Sequence, residues 1–181
     1  MIIDQTHERP SFLGIAIKGD ISRGDRRKPQ RTKEEFAAII QAILDDPTVA
    51  EFGWRQYTPY FNDGEPCVFG AHGAWVRLDT DAPAAEDEED YEETERLTIS
   101  YGSDDRIGER PVLRCEGVYP DRHAVYGAYA GPDEARYDRL KALDEAIDDN
   151  EFDDVLLDLF GDHSEITVRR DGIQVDTYSH D

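Results

Sequence analysis

The chain has 181 residues, of which 42 are acidic and 20 basic, giving a formal net charge of −22 with 38% apolar and 34% charged residues. This length supports one domain with its own core. The charge excludes the ordinary electrostatic routes to nucleic acid and to an anionic membrane surface, both of which need basic groups.

No stretch approaches the ~18 apolar residues of a membrane-spanning helix, and the first residues (MIIDQTHERPSFLG) lack the apolar run of a secretory leader. Two cysteines, Cys67 and Cys115, are too few for a disulfide scaffold. The expected address is therefore the cytoplasm. The charge is uneven: residues 1–33 carry eight basic and four acidic side chains, so the remainder holds a net −26.

In chain order, residues 12–17 (FLGIAI) form a short strand suited to docking on a sheet edge, and the basic run 23–31 reads as a flexible segment. Thr32 with Glu35 has capping-box spacing. Phe36, Ile39, Ile40, Ile43 and Leu44 then place one apolar stripe on a helix that Asp45, Asp46 and Pro47 end. Residues 54–61 and 67–69 read as strands about a turn at Asn62, Asp63 and Gly64, with another strand at 74–78 and a bulge or bend marked by Gly70 and Gly73. Residues 79–95 contain ten acidic side chains and no basic one, which predicts a disordered insertion. Residues 97–101 resume the sheet, and 102–131 are mostly loop with room for short strands.

Two helices follow. One starts near Asp133 with Tyr137, Leu140, Leu143 and Ile147 on its stripe. The other is capped by Asn150, carries Phe152, Val155, Leu156, Leu159 and Phe160, and ends at Gly161. Residues 165–170 and 173–178 flank Asp171 and Gly172 as a C-terminal hairpin with one buried face (Ile166, Val168, Ile173, Val175). The order predicts an α+β fold: an antiparallel sheet with about three helices packed on it and a C-terminal β-hairpin. It divides into an N-terminal strand and basic flexible segment (1–31) and a single domain (32–181) interrupted by the acidic insertion at about 79–95. Phe36, Ile40, Trp75, Leu143, Leu156, Phe160 and Val168 are expected in one core cluster.

The block WRQYTPYFNDGEPCVF at 54–69 resembles a pattern W-x-Q-Y-T-P-Y-F-N-D-G-[DE]-P-C-x-F found in a family of uncharacterised proteins from bacteria and their phages. The preceding helix and the closing FGDH (160–163) and YSHD (178–181) also resemble that family. The family has no established activity, so the resemblance implies no catalytic residue and only a bacterial or phage setting.

Two functional readings stand. In the leading one the chain is a non-enzymatic accessory protein. Its acidic helix face (Glu151, Asp153, Asp154, Asp158) and its aromatic block (Trp54, Tyr57, Tyr60) bind a protein with a basic surface, including one that normally holds DNA. In the alternative the chain is a small hydrolase or nuclease-like enzyme built on the cluster at 62–67, with Asp63, Glu65 and Cys67 acting alongside His72. Asp162, His163, His180 and Asp181 match no zinc spacing, and the acidic run 148–154 lacks the central glycine of a calcium loop. No phosphate-binding or dinucleotide motif occurs. No metal or cofactor is expected.

Overall fold

A computed structural model describes residues 11–12, 15–16, 28–61, 64, 67–81, 96–99, 104–119 and 122–179. Near the N-terminus, β1 (Ser11–Phe12) pairs antiparallel with β2 (Ile15–Ala16) as a separate two-stranded unit. The segment expected on a sheet edge thus turns back on itself.

Helix α1 (Lys33–Leu44) begins with the capping box: Thr32 accepts from the Glu35 N–H, and the Glu35 carboxylate accepts from the Thr32 N–H at 2.9 Å. Its stripe buries Phe36 and Ile43, with Ile39, Ile40 and Leu44 partly covered. At its end Asp46 is buried. It accepts from the Thr48 N–H (3.0 Å) and hydroxyl (2.7 Å) and pairs with Arg139.

The main sheet has the order β5-β4-β3-β8-β9, with every neighbour antiparallel. Its central strand β3 (Val49–Tyr57) starts before the aromatic block and stops ahead of Thr58 and Pro59. Proline lacks the N–H a ladder needs, and β4 (Gly70–Leu78) begins only at Gly70. Residues 67–69, expected as a strand, are not part of the sheet, and Asn62 and Asp63 of the expected turn lie outside the described residues. Gly73, at φ +67°, supplies the left-handed residue of a bulge where the register shifts between Gly53 and Arg55. The short edge strand β5 (Leu97–Thr98) pairs with β4.

The sheet is two-faced because side chains alternate along a strand. Phe52, Trp54 and Gln56 point to the helices, and their partners Val76, Val168 and Ile166 join the same core cluster. Glu51, Gly53 and Arg55 point the other way. Trp75, expected in the main core, belongs to that second face. It is buried, but against Gly53, where an added Cβ would come within 2.7 Å of the indole, and beneath the Arg96 guanidinium at 4.0 Å. Around it Glu51 pairs with Arg77 and Arg169, and Glu165 with Arg55 and Arg96.

Helix α2 (Glu134–Asp148) is capped by Asp133 and buries Leu140, Leu143 and Ile147 against β4 and α1. Helix α3 (Asp153–Phe160) buries Leu156 and ends at Gly161, φ +78°. Asn150, expected as its cap, instead adopts the left-handed conformation, φ +57°. The first turn is capped from a distance, because the Gln30 side-chain carbonyl accepts the Asp154 N–H at 2.9 Å. Strands β6 (Val112–Glu116) and β7 (His123–Tyr126) form a second two-stranded unit where the sequence predicts mostly loop with room for short strands. The C-terminal hairpin is β8 (Ser164–Arg169) and β9 (Gly172–Thr177). Its turn is Arg170 and Asp171, one residue earlier than the Asp-Gly signal suggests, with Gly172 paired to Arg169. Ile166 and Val168 are buried as expected. Their partners Val175 and Ile173 are about half exposed, which corrects the expectation of a buried face on both strands.

Candidate protein-binding surface

The aromatic block and the FGDH stretch interlock. Trp54 is fully buried, its ring edge-on to Phe160 at 5.5 Å and to Phe36 at 5.8 Å. Its Nε1–H donates to the Gln56 side-chain carbonyl at 3.0 Å, and Gln56 Nε2 donates to the carbonyls of Leu156 and Gly161. Asp162 accepts the N–H of Thr58 at 2.8 Å and that of His163 at 2.8 Å. Burial pushes the Asp162 carboxyl up, but these hydrogen bonds outweigh it and hold the group below its ordinary range. Tyr60 stacks on His163 at 4.8 Å. Alternate residues from 54 to 60 thus engage 160–163 in sequence.

Most of the block is consequently architecture. Trp54, expected to meet a partner, lies inside the core. Tyr57 is half-buried between His72 (5.4 Å) and Tyr178 (5.5 Å), and Tyr60 alone of the three is largely exposed. For the enzymatic alternative, Asp63 and Glu65 lie outside the described residues, as do His180 and Asp181. Cys67 is an exposed thiol, and the exposed His72 ring rests against Tyr57. Among the described residues, no group of three or more His, Cys, Asp or Glu is arranged to hold a metal ion.

The acidic helix face is also altered by the fold. Asp153 is buried, not presented to solvent, because the first turn of α3 closes against the core through Phe152. Glu151 is held by Arg31 at 3.7 Å, and the Arg31 guanidinium lies 4.7 Å from the centre of the Phe152 ring. Asp154 and Asp158 are exposed. The basic stretch just before α1 lies along this turn: Lys28 pairs with Asp149 at 2.9 Å, and Gln30 Nε2 donates to the Asn150 carbonyl at 2.7 Å. On α2, Arg110 bridges Glu134 (2.7 Å) and Asp138 (3.0 Å), and Lys141 pairs with Asp144. Asp148 shows what repulsion remains, since burial and the Asp144 carboxylate push its carboxyl up. A uniformly uncompensated acidic face is therefore not what the helices present.

A different feature stands out on the surface. Residues 111–119 are exposed along their whole length, with Val118 at 83% and Tyr119 at 93%. They form β6 and the tip of the β6–β7 ribbon. Cross-strand partners share a face, so Val112 with Tyr126 and Cys115 with Ala124 make one face, apolar throughout. Arg114 with Val125 and Glu116 with His123 make the other, where Arg114 pairs with Glu116 at 2.6 Å. Leu113 is the extra residue of a bulge. The apolar face faces water: Val112 and Tyr126 are each more than half exposed, as is the bulge residue Leu113.

The base of the ribbon is firmly held. Glu109 bridges Ala130, and the Gly127 N–H donates to the Pro111 carbonyl at 2.8 Å. The Tyr129 hydroxyl donates to the Ile107 carbonyl and accepts the Asp133 N–H at the start of α2. Gly108 and Gly131 close around it, since an added Cβ on either would fall within 2.5 Å of that hydroxyl. Rigid base, amphipathic stem and aromatic tip together make a projecting contact element. Its sequence signal is two β-prone runs, VLRCE and HAVY, about a turn containing Gly117, Pro120 and Asp121.

No family model matches the sequence, and no curated protein or solved structure matches it. Among the described residues no helix is long and apolar enough to cross a membrane.

Proposed function

We propose that the protein is a non-enzymatic binding protein that inserts the β6–β7 ribbon into an apolar groove of a partner protein whose rim is basic. The observation that carries this reading is the ribbon's solvent-facing apolar side. A two-stranded ribbon is marginal in water unless a third element covers it, and exposed contiguous apolar surface on a folded protein marks interaction sites. Residues 110–126 sum to +1, so the rest of the chain carries −23. An acidic body around a nearly neutral apolar ribbon favours a groove bordered by Lys and Arg, because complementary charge speeds encounter and suppresses wrong partners.

The test uses the adjacency of Pro111 and Gly127, which lets residues 112–126 be replaced by a two-residue Asn-Gly turn. The excised protein should keep its circular dichroism and cooperative melting while losing capture of the partner that the intact chain retains. Undiminished capture by the excised protein would overturn the proposal. The milder pair Val112→Ser and Tyr126→Ser should weaken binding without changing the melt.

A further inference from the structure

Among the described residues the outer strand β9 has no partner on its far edge, and all six of its residues are exposed. Natural edge strands are blunted by Lys, Pro or bulges. This one, Gly-Ile-Gln-Val-Asp-Thr, has none of the three, and its register against β8 is continuous. The inner rows of the sheet also run out onto it. Phe52, Val168 and Ile173 lie in line, as do Trp54, Ile166 and Val175. The first two residues of each row are fully buried, whereas Ile173 and Val175 stand 52% and 46% exposed. Helix cover ends one strand before the sheet does.

The phase of the edge is fixed. The Tyr178 N–H donates to the His163 carbonyl at 2.8 Å. Antiparallel bonding pairs recur at every second residue, so Asp176, Gln174 and Gly172 bond to β8, and the N–H and C=O groups of Ile173, Val175 and Thr177 face outward. An added antiparallel strand must bond to these three residues.

We propose that the added strand is β9 of a second copy, paired across a two-fold axis at Val175. That register sets Val175 against Val175 of the other copy and Ile173 against Thr177, so the outward-facing groups bond to one another. It also sets Gln174 against Asp176, an amide donor opposite a carboxylate. Moving the axis to Asp176 would oppose two aspartates at the closest spacing in the ladder. In the proposed register no like charges meet, and the two half-exposed apolar ledges join into one strip. The interface is isologous, as closed dimers require, and the two sheets become one.

The chain's charge sets the sign of the salt effect. Two bodies of −22 repel, so salt should strengthen this contact. An interface at the small end of the size range is weak, so sedimentation velocity on the full chain should be run at roughly 100 µM. The expected result is a dimer fraction that grows between about 0.05 M and about 0.5 M NaCl, and that Val175→Lys abolishes with the melt unchanged. In a Cys67→Ser, Cys115→Ser background, Gln174→Cys with Asp176→Cys should give a disulfide-linked dimer under mild oxidation. A monomer at every salt concentration would overturn the proposal. So would a dimer indifferent to Val175→Lys, or a β9 edge that accepts another protein's strand while the chain stays monomeric. The ribbon-excised protein should still dimerise, which keeps this contact separate from partner binding.

Discussion

Glu51 shows how one residue ties together the face of the sheet that is turned away from the helices. Its carboxylate, 6% exposed, accepts from Arg77 at 3.0 Å and from Arg169 on the strand to the other side. Burial raises the cost of its charge, but the two guanidinium groups outweigh this and hold its carboxyl below the ordinary range. A depressed folded-state value means that the contribution to stability is full above the unfolded glutamate value of about 4.3. It is lost as pH falls through the lower folded value. Glu51→Gln should cost about 1–3 kcal/mol at neutral pH, because it strips a charged acceptor from two arginines. Urea melts of the two proteins should converge at low pH, and a gap that stayed constant down to pH values below the carboxylate range would show that the ion pairs contribute nothing. None of this was legible in the sequence. Glu51 lies outside the aromatic block, and its two partners sit 26 and 118 positions away.

At the level of elements, what was local was legible. The capping box and stripe of α1 are specified within five residues of any point along it, and so are the stripe of α2 and the Gly161 stop of α3. The start of α3 was not, because its cap is the Gln30 side chain, 124 positions upstream, and no local pattern could disclose that. The exposure of β9 escaped for a related reason. Alternation shows that a strand has an apolar face and says nothing about whether a helix reaches far enough to cover it. The aromatic block misled because its aromatics signal burial and recognition alike, and only the fold shows Trp54 and Gln56 turned inward against α3. This placement predicts that α3 is central to stability. Leu156 is fully buried, and its carbonyl receives the Gln56 amide. Leu156→Ala should cost about 2–5 kcal/mol through the cavity it leaves. Chemical denaturation checks this, and a loss below about 0.5 kcal/mol, the range of surface substitutions, would make α3 peripheral.

For the molecule as a whole, the two proposed contacts respond oppositely to its charge. The acidic body opposes a second copy at β9 and attracts a basic rim at the ribbon. Salt should therefore favour the first and weaken the second, since exposed charges are screened beyond about 10 Å at 0.1 M. The internal pairs leave part of this charge for such a role. Lys28, Arg31, Arg110 and Lys141 occupy the carboxylates at the α2–α3 turn and on α2, whereas Glu145 and Asp158 stand exposed. Asp153, buried as it is, is unsuited to a charge-swap experiment. The variant Glu145→Gln, Asp158→Asn should fold unchanged and associate more slowly with the partner captured through the ribbon. The difference from wild type should be largest at low salt and vanish at high salt, because screening removes only the steering component. The same variant should dimerise more readily. Association rates measured across a salt series decide the matter: equal rates for both proteins at every ionic strength would mean that these carboxylates serve solvation alone and that the ribbon binds by its apolar face without electrostatic guidance.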